Sequence, residues 1–251
     1  MAPPRYEVIG IEGLPEIGQG ADLARLISEA ARRQDTPLRD RDLLVVSQKI
    51  VSKAEGRLVR LSEVEPSPRA RAVALELGRD PRLTEVILGE SRRIVRGDKG
   101  ILIVETHHGW ICANAGVDQS NVDADTACLL PEDADRSARG LRDRLRELGG
   151  LDVAVIVADT FGRPWREGLT NVAVGVAGFL PLKSYLGACD PAGHVLQATV
   201  LALADELASA AEPVMGKLSR IPVVIIRGLD WEPGEVGSQP LIRDPERDLF
   251  R

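Results

Sequence analysis

Asp159 and Asp118 are the residues of this chain best suited to hold a cation. Asp159 and Thr160 follow the apolar run Val153-Ala-Val-Ile-Val-Ala158, so a carboxylate and a hydroxyl stand where a buried strand ends, followed by Phe161-Gly-Arg163-Pro-Trp165-Arg166-Glu-Gly168. Asp118 lies in Ala115-Gly-Val-Asp-Gln-Ser-Asn121, three residues before Asn121, with Asp123 and Asp125 close behind. Oxygen donors of this kind suit a hard divalent cation, which prefers carboxylates, carbonyls and water. Arg163 and Arg166 suit phosphate or carboxylate oxygens, because a guanidinium offers paired donors in one plane. From spacing alone an Asx-rich turn explains the Asp118 segment equally well, and a surface turn is the bland account of residues 163–166.

A third group comprises Gln48, Lys49 and Lys53, which follow the run Asp42-Leu-Leu-Val-Val-Ser47 and are preceded by the loop Gly13-Leu-Pro-Glu-Ile17. Lysines bind phosphate as point charges. The chain contains neither a GxxxxGK[ST] loop nor a GxGxxG turn, so a nucleotide would sit outside the standard cradles. His107 and His108 are adjacent and His194 stands alone, which gives no zinc-type set. All three histidines are expected to be structural or exposed, and the lack of a GxSxG elbow argues against a serine hydrolase.

The elements that must position these residues follow from periodicity. Leu23, Leu26, Ile27, Ala30 and Ala31 predict a helix near 21–33, and further helices are expected over 68–77, 81–88 and 135–148, with a long one marked by Val200 to Val214. Strands are expected at 42–47, 101–104, 151–158 and 221–226. Helices and strands mix without strict alternation, which favours an α+β fold. The chain reads as one domain with a core of about residues 9–229, and 230–251 as an irregular surface tail or partner-binding arm.

Composition narrows the function classes. The chain has 251 residues, 44% hydrophobic and 28% charged, which excludes a disordered or collagen-like protein. With 38 acidic and 32 basic side chains the net charge is -6, which opposes broad nucleic-acid binding. Cys112, Cys128 and Cys189 show no CxxC spacing and are expected to be reduced and buried, in a cytoplasmic protein. The first residues lack an export signal, and no apolar run reaches the roughly 20 residues of a membrane helix.

Three segments closely resemble the F420-0:gamma-glutamyl ligase family: Val45-Val-Ser-Gln-Lys-Ile-Val-Ser-Lys-Ala-Glu-Gly-Arg57, Cys112-Ala-Asn-Ala-Gly-Val-Asp-Gln-Ser-Asn-Val122 and Ala158-Asp-Thr-Phe-Gly-Arg-Pro-Trp-Arg-Glu-Gly168. The likeness continues through Val214-Met-Gly-Lys217 and Pro222-Val-Val-Ile-Ile-Arg-Gly228. It implies a GTP-dependent ligase that adds L-glutamate to coenzyme F420-0, using Mg2+ or Mn2+ with K+ as a helper. It also implies an α+β fold of two interleaved subdomains in an intertwined homodimer. By the same resemblance Asp118, Asp159 and Thr160 are metal-binding positions. Leu14, Pro15, Glu16, Ile17, Gln48, Lys49, Lys53, Asn121, Met215, Gly216 and Lys217 are guanine-nucleotide positions. Relatives can carry an acidic residue in place of Lys217.

The implied reaction passes the GTP gamma-phosphoryl group to a carboxylate, and the glutamate amine attacks the resulting acyl phosphate. Lys53, Asp118 and Asp159 would be the catalytic residues, with Arg163 as a further phosphate holder. The alternatives are a metal-dependent phosphohydrolase or phosphotransferase, and a non-catalytic guanine-nucleotide-binding protein.

Overall fold

Leu43, Leu44, Val45 and Val46 are all fully buried, because the strand they form carries helices on both of its faces. The computed structural model describes residues 3–249. Its elements are β1 (Glu7–Gly10), α1 (Leu23–Arg33), β2 (Leu43–Ser47), α2 (Gln48–Ala54), β3 (Leu58–Arg60), α3 (Pro68–Leu77), α4 (Pro81–Gly89), β4 (Ser91–Asp98), β5 (Ile101–Thr106), β6 (Ile111–Ala113), β7 (Thr126–Cys128), α5 (Ala134–Gly149), β8 (Ala154–Arg163), β9 (Arg166–Phe179), β10 (Lys183–Ser184), β11 (Val200–Leu201), α6 (Leu203–Met215), β12 (Val223–Arg227) and β13 (Pro233–Gly234). The fold is mixed α and β, as expected from the sequence.

A six-stranded sheet of order β1-β12-β2-β8-β9-β13 forms the centre. Only β2 and β8 run parallel; the other neighbours are antiparallel. Val153, Val155 and Val157 face α1, α2 and α5, while Ala154, Ile156 and Ala158 face α6, as strand alternation requires. The helices start where the sequence provides caps: Asp22 accepts from the Arg25 amide at 3.1 Å and Asp133 from the Arg136 amide at 2.8 Å. Gly150, left-handed at φ 67°, stops α5.

A separate apolar cluster gathers Leu61, Ile87, Leu102, Val104, Val117 and Leu129, so α3, α4 and the β4-β5-β6 sheet pack as a lobe beside the main sheet. One close approach ties α5 to the centre. A Cβ on Gly175 would stand 2.3 Å from the Ala134 carbonyl oxygen, and Gly175 lies at the irregularity in the β8–β9 register next to Val157 and Ala158.

Three expectations are corrected. The strand expected to end at residue 158 continues to Arg163 and pairs with β9 throughout, so Asp159 lies inside a hairpin arm rather than at a strand exit. The reason is that Thr160 and Asn171 continue the ladder despite their polarity. The tail is not all irregular surface: Trp231 is buried edge-on to Phe179, Pro233 and Gly234 pair with β9, and buried Ser238 donates its amide to Asp135 at 2.9 Å. Cys189 is exposed, whereas Cys112 and Cys128 are buried, and all three are free thiols. It sits in the loop between β10 and β11, which has no apolar layer over it.

Candidate active site

β2 and β8 run in register with Ser47 opposite Ala158, so the chain leaving β2 into α2 passes beside Asp159. Gln48, the first residue of α2, is buried; it stands close enough to Asp159 to favour the charged carboxylate, and its Oε1 accepts from Ser52 Oγ at 2.9 Å. Lys49 and Lys53 are one helical turn apart on the same helix. Lys49 Nζ donates to Asp118 Oδ2 at 2.6 Å and to the Ser120 carbonyl and hydroxyl at 2.9 and 2.7 Å. Lys53, largely buried, pairs with Glu16 in the loop that also holds Leu14, Pro15 and buried Ile17.

Asp118 is delivered by a different device. Asn114, Ala115 and Gly116 take left-handed φ values of 54°, 56° and 71° in succession, and Asp118 then bridges Cys128 through reciprocal backbone hydrogen bonds of 3.0 and 2.8 Å. The Ser120 amide and hydroxyl donate to its carboxylate at 2.8 and 2.7 Å. Burial works to raise the Asp118 pKa, but the Lys49 and Ser120 donors outweigh it and hold the group below the ordinary aspartate value.

Asp159 has the opposite balance. Burial pushes its pKa up to about 6, against a donor from the Thr160 backbone; the negative charge of Asp118 adds to the rise, while Lys49 and Gln48 oppose it. Two carboxylates therefore feel each other with one ammonium beside them. The Cys112 thiol stands close by: burial, with the charge of Asp159 adding to it, pushes it up to about 12. A buried thiol of that kind is inert at neutral pH.

Thr160 goes elsewhere. Its neighbours on the α6 side of the sheet are Asn171 and Lys217: the Thr160 hydroxyl bonds Asn171 Oδ1 at 2.7 Å, and Lys217 Nζ donates to the same hydroxyl at 2.7 Å. Lys217 also pairs with Glu212 at 2.8 Å, and Asn171 reaches Met215 Sδ at 3.9 Å. The structure thus brings together Gln48, Lys49, Asp118 and Asp159, and separately Thr160, Met215 and Lys217. Asn121 is exposed with φ 55° in the loop after Asp118. Gly216, exposed, caps α6 next to Lys217. Arg163 turns back on its own hairpin, donating to the Glu167 and Gly168 carbonyls at 2.5 and 3.4 Å.

Sequence reasoning missed Ser120, Asn171, Ser52 and Cys112. Ser120 had a signal, since Asp-x-Ser favours an Asx turn; Asn171 had only its place, after Thr170, at the head of a long apolar run. The histidines are structural or exposed, as expected: His107 and His108 bond the Gly89 and Glu132 carbonyls at 2.9 and 2.8 Å, and His194 is exposed. Cavities of about 350 Å3 beside Arg41 and Arg227 and about 250 Å3 beneath Ser137 and Arg144 lie away from these carboxylates.

Among the described residues no three His, Cys, Asp or Glu side chains gather as a closed metal cage. Asp118 and Asp159 nonetheless fit Mg2+ or Mn2+: such a cation is commonly held by one or two carboxylates and completes its shell with water and substrate phosphates. The sequence profile described as F420-0:Gamma-glutamyl ligase matches residues 12–228. The chain belongs to that family. Relatives named coenzyme F420:L-glutamate ligase occur in Methanothermobacter thermautotrophicus, 47% identical over 97% of this chain and 98% of the relative. Those of Methanopyrus kandleri and Methanocaldococcus jannaschii are 48% and 40% identical, each over 98% of this chain and 97% of the relative. Membership makes the chain a ligase, and the matched span contains every residue from Gln48 to Lys217 described above. No described helix is long and apolar enough to cross a membrane.

Proposed function

We propose that the chain adds L-glutamate through gamma-glutamyl amide bonds to coenzyme F420-0, consuming GTP and passing through an acyl phosphate. The observation that carries this reading is the meeting of Asp118 and Asp159 at Lys49, in a member of this ligase family. A carboxylate resists attack by an amine, because the leaving group would be oxide. Phosphorylation makes that oxygen a good leaving group: the terminal P–O bond of GTP breaks, a new O–P bond forms on the acceptor carboxylate, and GDP departs. The glutamate nitrogen then attacks the acyl carbon, phosphate leaves, and the nitrogen gives up a proton.

Asp118 and Asp159 would hold Mg2+ or Mn2+, with K+ as a helper. When bound, the divalent cation offsets charge on the phosphate oxygens. Ser120 with Lys49 fixes the Asp118 carboxylate, and Gln48 and Lys49 favour the charged form of Asp159, so the site is partly preorganised before reactants arrive. Lys53, the loop of Leu14, Pro15, Glu16 and Ile17, and Asn121 would line the nucleotide side, and Met215, Gly216 and Lys217 would contribute from the α6 side of the sheet. Lys53 reaches a transferring phosphoryl group by exchanging its Glu16 partner for phosphate.

A homodimer fits the exposed apolar side chains of the β8–β9 arm, Trp165 and Leu169, and of the 183–201 segment, Leu186 and Val195. The test of the reaction class is phosphate release. A ligase liberates phosphate from GTP only when glutamate and F420-0 are both present; release with GTP alone would make the chain a phosphohydrolase.

A further inference from the structure

Ser52 lies in the middle of α2 and is fully buried. Alanine would favour the helix more and bury as readily, so the hydroxyl needs a reason of its own. A serine inside a helix ordinarily turns to solvent or back onto the carbonyl one turn earlier. Ser52 Oγ instead donates to a side chain one turn earlier on the same helix face, reaching Gln48 Oε1 at 2.9 Å. The Cys128 thiol also lies against the Ser52 hydroxyl, on the residue that exchanges backbone hydrogen bonds with Asp118. Ser52 therefore sits directly beneath the residues that carry the carboxylate pair.

Gln48 explains the arrangement. It is only 2% exposed, so both ends of its amide need partners inside the fold. An amide has one acceptor end and one donor end, whereas a carboxylate only accepts. Gln48 stands against Asp159 and favours its charged form, which is the action of a donor. The acceptor end then has to face away from Asp159, and the Ser52 hydroxyl is there to meet it. Turned over, the amide would set its oxygen against the carboxylate.

We propose that Ser52 is a positioning residue for the cation site: its hydroxyl holds the Gln48 amide with Nε2 toward Asp159, so that the carboxylate is already oriented when a divalent cation arrives. This rests on the reading of Asp118 and Asp159 as cation ligands. A donor on one carboxylate oxygen leaves the other for the cation, and hydrogen bonds that orient a ligand in this way are worth about 10–100-fold in metal affinity. Ser52 acts through Gln48 and touches neither cation nor reactant.

The test is Mn2+ binding in the absence of nucleotide, read by electron paramagnetic resonance of the free ion, with thermal melting alongside. The chains compared are wild type, Ser52→Ala, Ser52→Thr, Gln48→Leu and the double variant Ser52→Ala with Gln48→Leu. Ser52→Ala is expected to weaken Mn2+ binding by about tenfold, while Ser52→Thr, which keeps the hydroxyl, stays within about threefold of wild type. Gln48→Leu should lose about tenfold or more, and the double variant no more than Gln48→Leu alone, because Ser52 works only through that amide. A lower melting temperature in Ser52→Ala with Mn2+ affinity intact would overturn the proposal by making Ser52 a packing residue. Losses that multiply in the double variant would overturn it too, since Ser52 would then act by another route, such as Cys128 and Asp118. So would equal losses in Ser52→Thr and Ser52→Ala, or an unchanged affinity in Gln48→Leu. A wild-type chain that binds no Mn2+ would remove the cation reading and this inference with it, whereas equal binding by all five chains removes the inference alone.

Discussion

Asp159 and Thr160 are neighbours in the chain and face opposite sides of the sheet, Asp159 toward Gln48 and Asp118, Thr160 toward Asn171 and Lys217. Alternation along β8 separates them as surely as distance would. Thr160→Val should therefore change Mn2+ affinity by less than about threefold, while Asp118→Asn should weaken it by on the order of tenfold or more. Electron paramagnetic resonance of free Mn2+ measures both. Equal losses in the two variants would place the Thr160 hydroxyl on the cation.

Asp159→Asn should abolish glutamate addition yet strengthen the fold at alkaline pH. The Asp159 pKa is raised to about 6 in the folded chain from 3.8, so the folded state holds this proton more tightly than the unfolded state. The stabilisation from the protonated form is complete below the unfolded value and is lost as pH climbs through the folded one. Asparagine stays neutral throughout. The variant should melt a few degrees above wild type at pH 8, for about 1–3 kcal/mol, and level with it at pH 3.5. A lower melting temperature at pH 8 would mean that the ionised carboxylate is stabilising.

Lys49→Met removes the ammonium that lowers both aspartates. Their pKa values should rise, moving the acid limb of the pH–rate profile upward by roughly one unit, or about tenfold in rate on the acid side of the limb. A loss of rate that is uniform across pH would leave Lys49 as a phosphate contact alone.

Trp231→Ala probes the packed part of the tail. The indole is buried, its ring centroid is 6.3 Å from that of Phe179, and Arg41 stacks 3.8 Å above it. Denaturant unfolding should show a loss of about 3–5 kcal/mol. A change below about 1 kcal/mol would restore the tail to the surface.

The legible parts of this protein were those written in local pattern. Leu141 and Leu145 at helical spacing between Asp133 and Gly150 define α5 almost to the residue, and the Leu43–Val46 run defines a strand with both faces covered. Asp118, Asp159, Gln48 and Lys49 stood out as polar residues next to such runs, and the structure does gather them. What was not legible depends on partners distant in sequence. Nothing near Thr160 says that it faces α6, because β8 continues only through its pairing with residues 166–177. Trp231 is buried only because Phe179 and Arg41, far away in the chain, close around it.

The most direct measurement of the central claim is mass spectrometry of F420-0 after incubation with wild-type chain, L-glutamate, GTP and Mn2+, beside Asp159→Asn. The account predicts products heavier by one or more glutamyl units with the wild-type chain and none with the folded variant. Glutamylated product from Asp159→Asn at the wild-type rate, or none from the wild-type chain, would contradict it.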